Sequence, residues 1–141
     1  HSMHDAYLGM IHTFPDSFAR ALTLLGQADP PVAVHCAGGR DRTGIACGMA
    51  LWLAGAEPDA IAADHALSDE SWAPHHATWI AEAPDEEERE RRARINRPAG
   101  RTLAEVLERV ERETGIRRLL LDAGADPAAL DRLVERLRTN P

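Results

Sequence analysis

Apolar residues along this chain recur mostly at helical intervals. Phe18, Leu22 and Leu25 stand three and four positions apart in PDSFARALTLL. That spacing predicts a helix over Pro15–Leu25, with Pro15 in a first turn where its missing N–H is not needed. No element is assigned before Pro15. The turn residues of DPPVAVHC break the period, and Val32–Val34 is expected as a short buried strand. TGIACGMALWLAGAEP then resumes as a helix that is apolar nearly all round and stopped by Gly55. Its small residues Ala46, Gly48 and Ala50 suit close packing at the centre of the fold.

A short helix is expected from about Pro58 to Leu67, again with proline in its first turn. In DEEERERRAR, Asp85, Glu87, Glu88 and Glu90 each precede an arginine by four positions, Arg89, Arg91, Arg92 and Arg94. That pattern predicts a solvated helix laced by ion pairs. Thr102 and Glu105 have the spacing of a capping box before Leu103, Val106, Leu107 and Val110, and Gly115 ends that helix. IRRLLLDAG forms a further short helix. Asp126 and Pro127 supply the cap and first position of the last one, DPAALDRLVERLR.

One strand therefore stands against about six helices. A lone buried strand leaves its backbone groups unpaired, so the expected fold is α/β with most sheet strands on a segment absent from this chain.

The chain has 141 residues and a formal net charge of −7, and 44% of it is hydrophobic. It suits a single domain. All 16 basic residues are arginine, and no basic stripe suggests nucleic acid. No apolar run is long enough for a membrane span and no signal peptide is evident, so a cytoplasmic location is expected, with secretion lacking a recognisable signal left open. His1-Ser2-Met3 reads as a tag remnant. Cys36 and Cys47 fit neither a disulfide framework nor a zinc site.

The chemistry concentrates in VAVHCAGGRDRTG, Val32 to Gly44. A strand ending at His35 and a helix starting near Thr43 leave a tight loop. Its amides, from Ala37 to Arg42, can point inward as an anion-binding nest, with Gly38 and Gly39 permitting the backbone angles. The helix N-terminus adds its positive end. The same surroundings lower the pKa of a cysteine, which makes Cys36 a candidate nucleophile. Arg42 can grip two phosphate oxygens, Thr43 can give its hydroxyl to the sulfur, and His35 can orient the loop by hydrogen bonding. A degenerate nucleotide loop is the competing reading, but no lysine precedes a Thr/Ser as that motif requires.

HCAGGRDRTG resembles the signature loop of the cysteine-dependent protein tyrosine phosphatase superfamily, in particular its bacterial and fungal group with a His-Cys-x-x-Gly-Lys-Asp-Arg-Thr-Gly loop. DHALS (Asp64 to Ser68) and the C-terminal LLLDAGADPAALDRLVERL resemble further elements of that group. Arg40 replaces the usual lysine and keeps its positive charge. The resemblance implies a phosphotyrosine phosphatase-like fold, present here as its C-terminal part: residues 1–141 form one partial domain, with strand, phosphate loop and central helix at 32–55, a possible lid at 69–98 and terminal helices at 100–141. It implies hydrolysis of phosphotyrosine, phosphoserine/threonine or phosphoinositide monoesters through a phosphocysteine intermediate, without metal or other cofactor. Ala37, Gly38, Gly39, Arg40 and Gly44 would hold the phosphate. Partners would be a phosphorylated protein or phospholipid, and a missing N-terminal half or a second copy. The alternative is a non-catalytic phosphate-binding fragment.

Two residues compete as the general acid that such a reaction requires. Asp41 matches an aspartate of the family loop and is preferred; its plain structural role would be to brace the loop through Arg40 or Arg42. Asp5 has a sequence separation from Cys36 familiar in small phosphatases but no strand-and-loop context. Cys47 reads as a core side chain. His65, His75 and His76 lack the carboxylate spacing of a metal site. Trp72 and Trp79, in SWAPHHATWIAEAP, belong either to a lid over the phosphate cradle or to a packed surface helix.

Overall fold

The computed structural model describes residues 2–95 and 99–139. His1 of the expected tag remnant, residues 96–98 of the expected lid and the last two residues of the C-terminal region lie outside the described residues. Eight helices make up the described part: α1 (Met3–Thr13), α2 (Pro15–Gln27), α3 (Asp41–Ala54), α4 (Pro58–Ala81), α5 (Glu86–Ile95), α6 (Gly100–Glu113), α7 (Ile116–Asp122) and α8 (Pro127–Thr139).

Helix α3 is central and packs on α1, α2, α4, α6, α7 and α8. Its buried Ile45, Ala46, Met49 and Ala50 share one core with Tyr7 and Ile11 of α1, Leu22 of α2, Leu103 and Leu107 of α6, and Leu130 of α8. Small residues decide how closely the helices approach. A Cβ on Gly26 would lie 2.6 Å from the carbonyl carbon of Ala129, so α2 and α8 meet backbone to backbone there. Helix α3 ends at Gly55, whose φ of 89° is left-handed backbone that glycine enters without a Cβ penalty.

The expected strand at Val32–Val34 is corrected: no strand occurs among the described residues, and the α/β character is not seen in them. Residues 32–36 run between α2 and α3 with no backbone-to-backbone hydrogen bond among the described residues. A strand exists only against a neighbour, and here none is at hand. Val32 is left exposed, as are Phe14 and Leu24.

Helix α1 is not foreseen in the sequence. Ser2 caps it through a box with Asp5: the Ser2 Oγ accepts from the Asp5 N–H at 3.1 Å, and Asp5 Oδ2 accepts from the Ser2 N–H at 3.1 Å. The helix expected to stop near Leu67 runs on to Ala81, with Pro74 inside it. The predicted capping box at Thr102 and Glu105 does not form, because α6 begins earlier, at Gly100. There the Ala99 N–H donates to Asp69 Oδ2 of α4 at 2.7 Å. Helix α5 carries ion pairs, but of the four expected only Glu88–Arg92 occurs among the described residues, and Arg89 pairs with Glu86 in place of Asp85. Glu88 pairs with both Arg92 (2.8 Å) and Arg91 (2.6 Å), so Arg91 turns to Glu88 instead of Glu87. Asp126 caps α8 by accepting from the Ala128 N–H at 3.0 Å.

Candidate active site

Cys36 sits at the start of the loop that links the extended segment to α3. Its sulfur lies near the amides of Gly38, Gly39 and Thr43 and the hydroxyl of Thr43, all of which favour the anion. Partial burial alone pushes the thiol up; the Thr43 hydroxyl and the three amides outweigh it and bring the pKa down to about 6. The buried Thr43 Oγ1 makes no hydrogen bond of good geometry, so its effect on the sulfur is that of a nearby dipole. Gly39 carries the loop's one positive φ, 70°. Gly38 needs no such freedom. Its place is beside Trp72, whose Cζ2 would lie 3.9 Å from an added Cβ.

Two separate cavities, each of about 470 Å³, flank the loop. Cys36, Arg42 and Thr43 line one of them with His35, Val34, Met10, Phe14 and Phe18. Gly38, Arg40 and Asp41 line the other with Trp72, His75, His76 and Trp79. Cys36, Arg42, Thr43 and His35 thus share one cavity, and Asp41 lines the other. Ala37 is exposed at the loop surface. His35 is exposed, its Nδ1 3.4 Å from the Cys36 carbonyl oxygen.

Arg40 and Gly44 make their contacts within the protein. Arg40 is only 7% exposed and turns its guanidinium away from the loop mouth. Its Nε donates to Asp41 Oδ1 at 3.0 Å, and its Nη1 faces Asp69 Oδ1 at 3.6 Å, an electrostatic pair without hydrogen-bond geometry. Gly44 cannot offer its N–H to a phosphate, because it donates to the Arg40 carbonyl at 2.7 Å in the first turn of α3. Its missing side chain instead admits the His65 ring.

Asp41 braces the loop through Arg40, as its structural role anticipates. It has a second partner that sequence reasoning missed: the hydroxyl of Tyr7 donates to Asp41 Oδ1 at 2.7 Å. Tyr7 is fully buried and its hydroxyl lies 3.1 Å from His65 Nε2. Burial first, then the hydrogen bond to Asp41, hold the Tyr7 phenol well above its ordinary pKa. Burial holds His65 below its ordinary value, so it is neutral at neutral pH. The only sequence signal for Tyr7 is its helical spacing with Met3, Met10 and Ile11.

Asp5 is engaged in the α1 cap, where bonds from the Ser2 amide and hydroxyl hold its carboxyl below the usual range. It lines neither cavity at the loop. Cys47 is half-buried on α3, where burial and then Asp64 push its thiol up. His75 meets Trp72 edge-on, and His76 stacks on it at 5.5 Å between ring centres. Among the described residues no cluster of His, Cys, Asp and Glu could hold a metal ion, and no helix is long and apolar enough to cross a membrane.

A sequence model of the tyrosine phosphatase family matches residues 1–139. No curated protein matches the chain significantly.

Proposed function

The chain belongs to the tyrosine phosphatase family, and from that premise we propose that it hydrolyses phosphate monoesters through a phosphocysteine intermediate on Cys36. The observation that carries the reading is the shared cavity of Cys36, Arg42 and Thr43 at the N-terminus of α3, where nearby amides and the Thr43 hydroxyl bring the thiol pKa down to about 6. At neutral pH this group is a thiolate, and the donors that stabilise it are those a phosphate dianion needs.

In this reading the Cys36 thiolate attacks phosphorus and the bond from phosphorus to the leaving oxygen breaks. Asp41 gives that oxygen a proton. Water then attacks the phosphocysteine while Asp41 takes its proton back, and the sulfur departs as thiolate, eased by Thr43. Arg42, lining the same cavity as Cys36, grips the non-bridging oxygens as they gather charge. In-line displacement carries the leaving oxygen to the side of phosphorus away from the sulfur. The donor must therefore reach that oxygen from beyond phosphorus; Asp5 is held in the α1 cap and lines neither cavity at the loop, whereas Asp41 is part of the loop itself, which favours Asp41 over Asp5. Arg40 acts from behind the loop, as a buried cation paired with Asp41 and Asp69.

The rings of Trp72, His76 and Trp79 line the cavity on the Asp41 side. They favour a flat aromatic leaving group, so phosphotyrosine is the preferred substrate over aliphatic phosphoserine or phosphoinositide. The unpaired segment 32–36, beside exposed Phe14 and Val32, supports reading the chain as part of a domain whose sheet strands come from a further segment or a second copy.

The test is hydrolysis of a small aryl phosphate in the presence of a chelator, with and without vanadate. The expected result is metal-independent, vanadate-sensitive turnover that is lost in Cys36→Ser. Turnover that persists in that variant removes the nucleophile and the reading with it.

A further inference from the structure

Tyr7 and Arg40 converge on one oxygen of Asp41, and His65 backs Tyr7, the three coming from different parts of the chain. Tyr7 comes from α1, His65 from α4 and Arg40 from the loop itself. Asp41 Oδ1 accepts from the Tyr7 hydroxyl at 2.7 Å and from Arg40 Nε at 3.0 Å. Among the described residues Oδ2 accepts no hydrogen bond. The asymmetry has a chemical consequence. A proton placed on Oδ1 would displace a donor in a buried network, whereas Oδ2 can carry one without losing a bond.

The donor order along the chain follows from the same contacts. A phenol has one proton, and Tyr7 gives it to Asp41 Oδ1. The 3.1 Å contact between the Tyr7 oxygen and His65 Nε2 is then a hydrogen bond only if Nε2 donates. Buried and held neutral, His65 has a single ring proton, and only a ring that carries it on Nε2 completes this contact. Of the charged groups around the pair, Arg40 pairs with Asp41 and Asp69, and Asp64 is the fourth.

We propose that Tyr7 and His65 are positioning residues for Asp41: the chain from His65 Nε2–H through the Tyr7 hydroxyl keeps Oδ1 an acceptor, so that the proton transferred to the leaving oxygen is carried on Oδ2. The proposal rests on the reading of Asp41 as the acid. Tyr7 and His65 touch no substrate in it. They fix which carboxyl oxygen faces the reaction, and their loss leaves Asp41 free to turn the proton away.

The test compares two esters. Phenyl phosphate has a basic leaving group that must be protonated, whereas 2,4-dinitrophenyl phosphate departs without a proton. In Tyr7→Phe, kcat/KM on phenyl phosphate, which reports the step that expels the leaving group, should fall about tenfold or more, and on the dinitrophenyl ester less than about threefold. His65→Leu should behave in the same way, and His65→Gln, which keeps a donor near the Nε2 position, should restore most of the loss. Imidazole 15N spectra of the wild-type protein, with the His65 signals assigned by their loss in His65→Gln, should show a neutral ring protonated on Nε2. Equal losses on the two esters in an active enzyme, or a ring protonated on Nδ1 alone, overturn the positioning role. A wild-type protein that hydrolyses neither ester while keeping the Nε2–H signal overturns the phosphatase reading and the role with it, but leaves the hydrogen-bond chain standing.

Discussion

Gly44 and His65 occupy space that a single methyl group would destroy: a Cβ on Gly44 would lie within 2.5 Å of His65 Nδ1. The ring has little room to retreat, being 4% exposed and held at Nε2 by Tyr7. The glycine after the loop threonine therefore acts through packing. It lets α4 lie against the first turn of α3 and brings His65 within reach of the network behind the loop.

Gly44→Ala should accordingly destabilise the fold by about 1–3 kcal/mol, the usual cost of forcing extra volume into a packed contact. Urea unfolding measures it. An unchanged midpoint and slope would mean that the ring moves freely and that the contact does not constrain the loop.

Gly26→Ala tests packing far from the loop. The group in the way is the backbone of Ala129, which cannot swing aside as a side chain could. A loss of about 2 kcal/mol or more is expected. It should appear in thermal unfolding while the reactivity of Cys36 in the folded protein stays as it was.

Thr43→Ala removes the strongest of the groups that favour the Cys36 thiolate. The sign follows directly: the thiolate is the reactive form, so reactivity is full above the pKa and is lost as pH falls through it. With the wild-type thiol at about 6, removing a donor moves the midpoint upward. The thiolate fraction at pH 6 should drop from about one half toward about one tenth, with little change at pH 8.5. Iodoacetamide rates across that range read it, and identical profiles for the two proteins would remove Thr43 from the account.

Arg42→Lys keeps the charge but not the planar fork that grips two oxygens at once. Turnover should fall about 100-fold or more if Arg42 stabilises the developing charge. Steady-state kinetics on an aryl phosphate decides it, and a change confined to KM would assign Arg42 to substrate capture alone.

The family was readable because its signature is local: Cys36, the glycines, Arg42 and Thr43 are neighbours in sequence. Most helices were readable because Phe18, Leu22, Leu103 and Leu107 repeat at a helical period. What joins Asp41 to Tyr7 was not, since the contact spans 34 positions of sequence and α1, although Met3, Tyr7, Met10 and Ile11 stand at helical spacing, has its cap in a stretch that looks like a tag. The expected strand at Val32–Val34 failed for the same kind of reason. Valines report burial and a preference for extended backbone, but a ladder needs a second strand. Arg40 looked like a substrate contact because charge beside a phosphate loop invites that reading; the carboxylate that draws it inward, Asp69, lies on another helix.

The central claim is an activated sulfur inside an anion cradle, and alkylation of Cys36 as a function of pH, with and without inorganic phosphate or vanadate, tests it most directly. Cys47 serves as the internal control, since its thiol is pushed the other way. The account predicts a midpoint near 6 for Cys36, protection by either oxyanion, and slow reaction of Cys47 throughout. A Cys36 that titrates like an ordinary thiol and gains no protection from phosphate or vanadate would contradict it.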